Sequence, residues 1–393
     1  MALSGCSTLP EVQVRIDDSC SADSGADPFS LLTVHGRPLD AYAAARQAAD
    51  RNEPGADQVA TQISAIMGVD PPTDLNVLHS ECRTSLPDPV VPALPGLFER
   101  IKQRNPRFVI LNESHVSQRD RAFASQLVAG LQQKGFSVLA VEGIFPNSDV
   151  VGPDGFVNSG AGFYTNDPIF SEMLGNAVRR GMHVYPYDAA PRPGAPFQER
   201  EQAQAANLAA IARRHPDAGI IVLAGGSHGS TLPAEDGRAR MGFWLQQQGV
   251  GEVFSINQTN AHVADSTLIS ARSCWGLDET PENPVLLPES AKADDGFDAY
   301  IAHPSGQFRA RTGDLTGRVP VQTKLSSTAV RPLLVRAFPE DADPNHSVPF
   351  DQFLVTDQGA THAQLFLRPG RYRVVEELVG CIRRTHAHKL IVK

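Results

Sequence analysis

The chain has 393 residues, 41% of them apolar and 20% charged, enough for two or three domains of roughly 150 residues each and for a sizeable core. Asp and Glu outnumber Lys and Arg by 44 to 35, a net charge of −9; a protein that tracks phosphates needs the opposite balance, which argues against a nucleic-acid partner. No apolar run approaches the ~18 residues of a membrane-spanning helix, and 32 glycines with 30 prolines, without period, suit a loop-rich globular protein.

At the start, Leu3-Ser4-Gly5-Cys6 has the form of a bacterial lipobox, although the basic segment and apolar stretch of a signal peptide are missing before it. The motif predicts a periplasmic or outer-membrane lipoprotein of the cell envelope, with the membrane touched only through the lipid. Residues 1–28 then form a polar tether. With Cys6 lipidated, Cys20, Cys82, Cys274 and Cys381 remain; three pairings are open to them, as are four free thiols. None sits in a Cys-x-x-Cys pair, so neither a zinc ribbon nor a thioredoxin-like site is suggested.

Residues 41–68 carry Ala-rich helical runs that Pro71-Pro72 stop, and a short amphipathic helix follows at Leu97–Arg104, within an N-terminal helical segment taken as 29–94. From residue 107 the pattern changes. Short apolar strands at 108–111, 137–141, 183–187, 219–224 and 252–256 alternate with helices at 121–134, 168–180, 198–214 and 238–248. Continuously apolar strands alternating with helices predict an α/β fold: a mostly parallel central sheet covered by helices on both faces, over about 95–310. The Pro- and acid-rich stretch 280–296 reads as a surface loop. Beyond it, 318–393 shows strands near 333–338, 353–356, 364–367 and 372–375 with Pro369-Gly370 between the last two, a small antiparallel β-rich domain.

Ligands of open parallel sheets bind at the carboxyl ends of the strands. Those ends deliver Asn112-Glu113-Ser114-His115, then Glu142-Gly143, then Asp188, then Gly225-Gly226-Ser227-His228-Gly229, and last Asn257-Gln258. Five titratable groups, Glu113, His115, Glu142, Asp188 and His228, therefore converge on one edge, where they perturb one another's pKa values and carboxylates orient imidazoles.

The run ILNESHVSQRDRAFASQLVAGLQQKGFSVLAVEG resembles the opening of the erythromycin-esterase/ChaN-like group, which is related to the TraB/TIKI proteins. Glu113 and His115 match its first motif, Arg121 its helix arginine, Glu142 its second-strand glutamate, and Gly225 and His228 its second histidine motif. The match covers about residues 107–260; Asn112 stands where the family has glycine, at a position read as a tight turn. The resemblance implies a hydrolase of esterase or amidase type, with His115 as general base or ligand, Glu113 and Glu142 as orienters or ligands, His228 as second imidazole and Arg121 as charge partner. Asp188, Arg200 and Gln258 are expected to face a small-molecule or peptide substrate. If the site is a metallocentre, His115, His228, Glu113 and Glu142 hold a divalent Zn, Mn or Fe. The alternative is a haem- or metal-binding lipoprotein without turnover, with Tyr185 and Tyr187 as candidate oxygen ligands to the iron.

Two further motifs compete. Gly225–Gly229 also fits Gly-x-Ser-x-Gly, which makes Ser227 a nucleophile with Asp298 and His303 following in triad order, but the helix such an elbow enters does not follow directly. His386-Ala387-His388 sets two imidazoles on one side of a strand, a pattern that fits a solvated strand end beside Arg383, Arg384 and Lys389.

Overall fold

The computed structural model describes residues 12–13, 27–69, 90–189, 196–234, 236–259, 283–289, 295–303, 317–325, 331–380 and 383–392. In chain order, β1 (Val12–Gln13) precedes helices α1 (Pro28–Thr33), α2 (Pro38–Asp50) and α3 (Ala56–Ile66), then β2 (Val91–Pro92) and α4 (Ala93–Arg104). An alternating run follows: β3 (Phe108–Glu113), α5 (Gln118–Gln133), β4 (Phe136–Val141), α6 (Pro168–Arg179), β5 (His183–Pro186), α7 (Phe197–Arg214), β6 (Gly219–Gly225), α8 (Met241–Gln247) and β7 (Val253–Asn257). Strands β8 (Val285–Leu286), β9 (Ala299–Ala302), β10 (Val319–Lys324), β11 (Leu333–Pro339), β12 (Asp351–Val355), β13 (His362–Leu367), β14 (Gly370–Leu378) and β15 (Arg383–Val392) follow, and two short 3-10 helices, Ser159–Ala161 and Tyr164–Asn166, lie between β4 and α6.

Two compact units form, and they interleave along the chain. One gathers Met1–Pro71, Phe145–Asn176 and Phe308–Lys393; the other gathers Pro72–Ile144 and Ala177–Gln307. The contiguous segments 29–94, 95–310 and 318–393 expected from sequence do not coincide with these units. The physical reason lies in the core of the first unit, where Leu31, Leu32, Leu39, Ile63 and Ile66 of the N-terminal helices share one cluster with Leu334 of β11 and Leu354 of β12. Neither the helices nor the C-terminal strands could bury those side chains without the other. The strands of this unit form a sheet in the order β1-β15-β14-β11-β12 and a separate β10-β13 pair, all antiparallel.

The second unit holds an eight-stranded sheet in the order β2-β8-β9-β7-β3-β6-β4-β5. Its six strands from β9 to β5 run parallel, and β2 and β8 add an antiparallel edge. Every residue of β3 is buried, as a strand covered on both faces requires. Alternation divides the faces. Phe108, Ile110, Val138, Ala140, Ile220 and Val222 pack with Ala205 and Leu208 of α7 and Met241 and Leu245 of α8. Val109, Leu111, Leu139, Val141, Ile221 and Leu223, equally buried, face the other way.

The stretch 280–296 is not purely a surface loop. Val285-Leu286 pairs with β9, and Leu286 and Leu287 are buried, because the apolar Val-Leu-Leu run extends the sheet where the acidic residues around it could not. All five cysteines, the tether up to residue 26 apart from Val12-Gln13, and Pro71-Pro72 lie outside the described residues, and β15 is described without the side chains of His386 and His388. Among the described residues no helix is long and apolar enough to cross a membrane.

Candidate functional site

The residues expected at the strand ends all lie in the second unit. Strand order decides how they meet: β6 lies between β3 and β4, so Glu113 and Glu142 are separated by the end of β6. That end is Gly225, which pairs with Glu113 in register. A Cβ at position 225 would stand 2.4 Å from both Cε1 and Nε2 of His115 and 3.1 Å from Oε2 of Glu142. The missing side chain is thus the space that His115 fills, and the Gly225 N–H donates to Glu142 Oε2.

His115 reaches this position through a tight turn after β3. Ser117 N–H donates to Ser114 carbonyl oxygen, and Ser117 caps α5 by accepting from the Asp120 N–H. Asp120, fully buried, accepts from Ser117 Oγ and from the Ser114 N–H, both at 2.8 Å. Ser117-Gln118-Arg119-Asp120 has the spacing of a capping box, with an aspartate that turns back onto the Ser117 hydroxyl and the Ser114 N–H. The same turn brings His115 Nδ1 to 3.3 Å from Glu113 Oε1. Arg121, with no exposed surface, donates to both Glu113 oxygens at 3.3 and 3.4 Å and to the His115 carbonyl at 3.0 Å. Burial alone would raise the Glu113 pKa; the Arg121 cation and the His115 hydrogen bond outweigh it and hold the carboxyl below its ordinary value.

A second imidazole stands on the other side of Glu142. His228 Nδ1 lies 2.9 Å from Oε2 of Glu201, a carboxylate with no exposed surface that also accepts the Met241 N–H at 2.6 Å. His228 Nε2 faces Arg200 Nη1 at 3.4 Å and Glu142 Oε1 at 3.7 Å. Arg200 ties the cluster together. Its Nη2 donates to Glu142 Oε1 at 2.8 Å and to Asp188 Oδ2 at 2.9 Å, its Nε donates to Asp188 Oδ1, and its side chain stays 28% exposed. Desolvation disfavours the Arg200 cation, but the two carboxylates prevail and raise its pKa beyond its already high value. Gln204, one turn further along α7, donates to Asp188 Oδ1 at 2.7 Å.

Glu113, His115, Arg121, Glu142, Asp188, Arg200 and His228 therefore meet as expected, with Asp188 and Arg200 holding each other. Gln258 does not face a substrate. It is buried, its amide nitrogen donating to the Asn112 carbonyl at 2.6 Å and its amide oxygen meeting His303 Nε2 at 3.0 Å. Asn112 is no turn residue either: it belongs to β3, outside the left-handed positions, and its amide links Gly226, Asn257 and Thr259. Sequence reading missed Asp120, Glu201 and Gln204. The capping box could have found the first, and the other two sit on the stripe Glu201-Gln204-Ala205-Leu208, whose helical spacing marks the buried face of α7.

The Ser227 triad is not assembled. Ser227 is an exposed turn residue, α8 begins only at Met241, His303 packs edge-on against Phe123, and Asp298 accepts the Ser255 N–H. Nor do the residues fit a metal. Among the described residues no group of three or more His, Cys, Asp or Glu could hold one. Both carboxylates of the conditional set are already engaged by guanidinium groups, Arg121 on Glu113 and Arg200 on Glu142, so a cation would meet two positive charges. The tyrosines serve other ends. Tyr187 is buried and donates to the Leu223 carbonyl at 3.1 Å, and burial first, then Glu142 and Asp188, push its pKa well above 10.0, away from the phenolate that iron takes. Tyr185 meets His215 Nε2 at 2.9 Å.

What fold and site define together is an α/β protein with two carboxylate-backed histidines at the carboxyl ends of a parallel sheet. No family model and no curated protein matches the chain. Among solved structures it is similar to the type III effector HopBA1, at 18% identity over 56% of this chain and 98% of that one, with a TM-score of 0.33. It is also similar to a chain described as bacterial protein toxins, at 15% identity over 55% of this chain and 46% of that one, with a TM-score of 0.31. Likenesses this distant carry no argument about fold or chemistry.

Proposed function

We propose that the protein is a hydrolase of ester or amide bonds, acting on a small-molecule or peptide substrate with water as the nucleophile. The observation that carries this reading is the His115–Glu113–Arg121 assembly, in which a buried, ionised carboxylate faces Nδ1 of a partly exposed imidazole. Such a carboxylate keeps the proton on Nδ1 and leaves the Nε2 lone pair to take a proton from water as the oxygen attacks the carbonyl. The imidazolium formed is stabilised by Glu113, then returns its proton to the leaving alkoxide or amine. Arg200, a partly exposed cation beside His228, is the group suited to a developing oxyanion. The resemblance to the erythromycin-esterase/ChaN-like group supports the same chemistry, and the Leu3-Ser4-Gly5-Cys6 motif supports a cell-envelope location.

The test is His115→Ala assayed on a panel of nitrophenyl esters, lactones and anilides. Loss of about 10²- to 10⁴-fold in kcat, with the thermal midpoint kept, is the expected result. A folded variant as active as the parent sinks the assignment.

A further inference from the structure

The two histidines are held differently, and the difference identifies a residue that neither motif contains. Glu201 is buried in α7 one position after Arg200, and both its oxygens lie against His228 Nδ1, Oε1 at 2.8 Å and Oε2 at 2.9 Å. Oε2 also receives the Met241 N–H at 2.6 Å. Among the described residues, Arg240 Nη1 stands 3.7 Å from Glu201 Oε1, while Arg200 and Glu142 face the far nitrogen of the ring. Main-chain contacts fix the ring's stem as well, since the Gly242 N–H donates to the His228 carbonyl at 2.8 Å. The imidazole thus has little freedom to turn, and its remaining choice is which nitrogen carries the proton.

We propose that Glu201 is a positioning residue that makes this choice, holding the proton of His228 on Nδ1 so that Nε2 presents a lone pair toward Arg200 and Glu142. The inference deepens the hydrolase reading, in which His228 is the second imidazole of the site. Two observations on opposite sides of the ring agree. A carboxylate can only accept, so Nδ1 must donate to Glu201. A guanidinium can only donate, so Nε2 must accept from Arg200 Nη1. The opposite tautomer would set a lone pair against a buried carboxylate and an N–H against a cation. An arrangement that holds one tautomer lets Nε2 take up a proton in the reaction without a ring flip.

The test is the nitrogen-15 spectrum of imidazole-labelled full-length protein in alkaline solution, where the ring is neutral, with His228→Gln used to assign the signal. The parent is expected to show His228 protonated on Nδ1. In Glu201→Gln the Met241 N–H pins the amide oxygen at the Oε2 position, the one hydrogen-bonded to Nδ1, so this variant keeps the acceptor and the parent's spectrum. Glu201→Leu removes the acceptor, and the expected result is a shift toward the form protonated on Nε2, with a fall of about 10²-fold or more in kcat at little change in KM wherever hydrolysis is measurable. If Glu201 served only to hold α8, the Leu variant would lose the Met241 bond and leave the spectrum unmoved. An unmoved spectrum in Glu201→Leu, or a parent already protonated on Nε2, overturns the proposal, and the latter decides it even if the Leu variant does not fold. The spectrum needs no substrate, so absence of hydrolysis would strike the proposed activity and leave this result standing.

Discussion

At position 225 the place of a Cβ is taken by the imidazole of His115, and the same glycine's N–H is bound to Glu142. Gly225→Ala puts a methyl group into that space. The atoms it meets belong to a side chain rather than to backbone, so the ring can move away at small cost to the fold. What it cannot do is stay beside Glu113 and Glu142 at once. On the proposed hydrolase reading, Gly225→Ala is therefore expected to lower activity by about 10²-fold, the usual effect of misplacing a reacting group by about 1 Å, with little change in the thermal midpoint. Kinetics and a melting curve on one preparation check both halves; unchanged kcat would mean that His115 works from elsewhere. The glycine itself was legible as part of a Gly-x-x-His motif. Its purpose was not, since it depends on β6 lying between β3 and β4, a fact of strand order that no local pattern contains.

Elements show the same division between what local sequence carries and what it does not. The five strands of the alternating run, β3 to β7, fall where apolar runs placed them, β3 extending to Glu113 and β6 to Gly225. Helix α5 begins at Gln118 rather than Arg121, because its capping box outranks the hydrophobic periodicity as a start signal. The two-residue strands β2 and β8 were invisible, being too short to show any period. Glu201 and Gln204 were hidden for another reason: a polar or charged residue in a polar helix looks solvated until tertiary packing buries it. The α5 cap also makes a prediction. Asp120 satisfies the Ser114 N–H and Ser117 Oγ from a fully buried position, so Asp120→Ala should destabilise the fold by about 1–3 kcal/mol and loosen the turn carrying His115. Denaturant midpoints at constant slope measure the first, and a fall in kcat the second; a loss under about 0.5 kcal/mol would show that the turn holds without its cap.

Over the whole molecule, both compact units carry carboxylates whose folded pKa lies below the unfolded value. Glu113, lowered from 4.5, is in one; Asp154 and Asp343, lowered from 3.8, are in the other. For Glu113, desolvation is overcome by Arg121 and His115; for Asp154, desolvation is overcome by the Asp343 N–H and Ser347; for Asp343, His346 is the chief cause. Such groups add stability that is fully present above the unfolded pKa and is lost as pH falls through the folded one. Urea midpoints are therefore expected to hold from pH 7 to about 5 and to drop steeply below about 4.5. Glu113→Gln should lower the midpoint at neutral pH and flatten its acid dependence. A midpoint that did not change between about pH 5 and 3 would contradict this account.

The strand order has a consequence for synthesis. A ribosome delivers β3, β4 and β5 early, and β4 can pair with β5, yet β3 and β4 cannot be joined until residues 219–225 emerge and slide between them. Until then the chain holds a gap at the middle of its sheet, with Glu113 and Glu142 on opposite banks. Filling it closes a long loop, which is slow. The strand that joins β3 to β4 is also the one whose terminal glycine admits His115, so the nascent protein closes the gap and seats that imidazole in a single event.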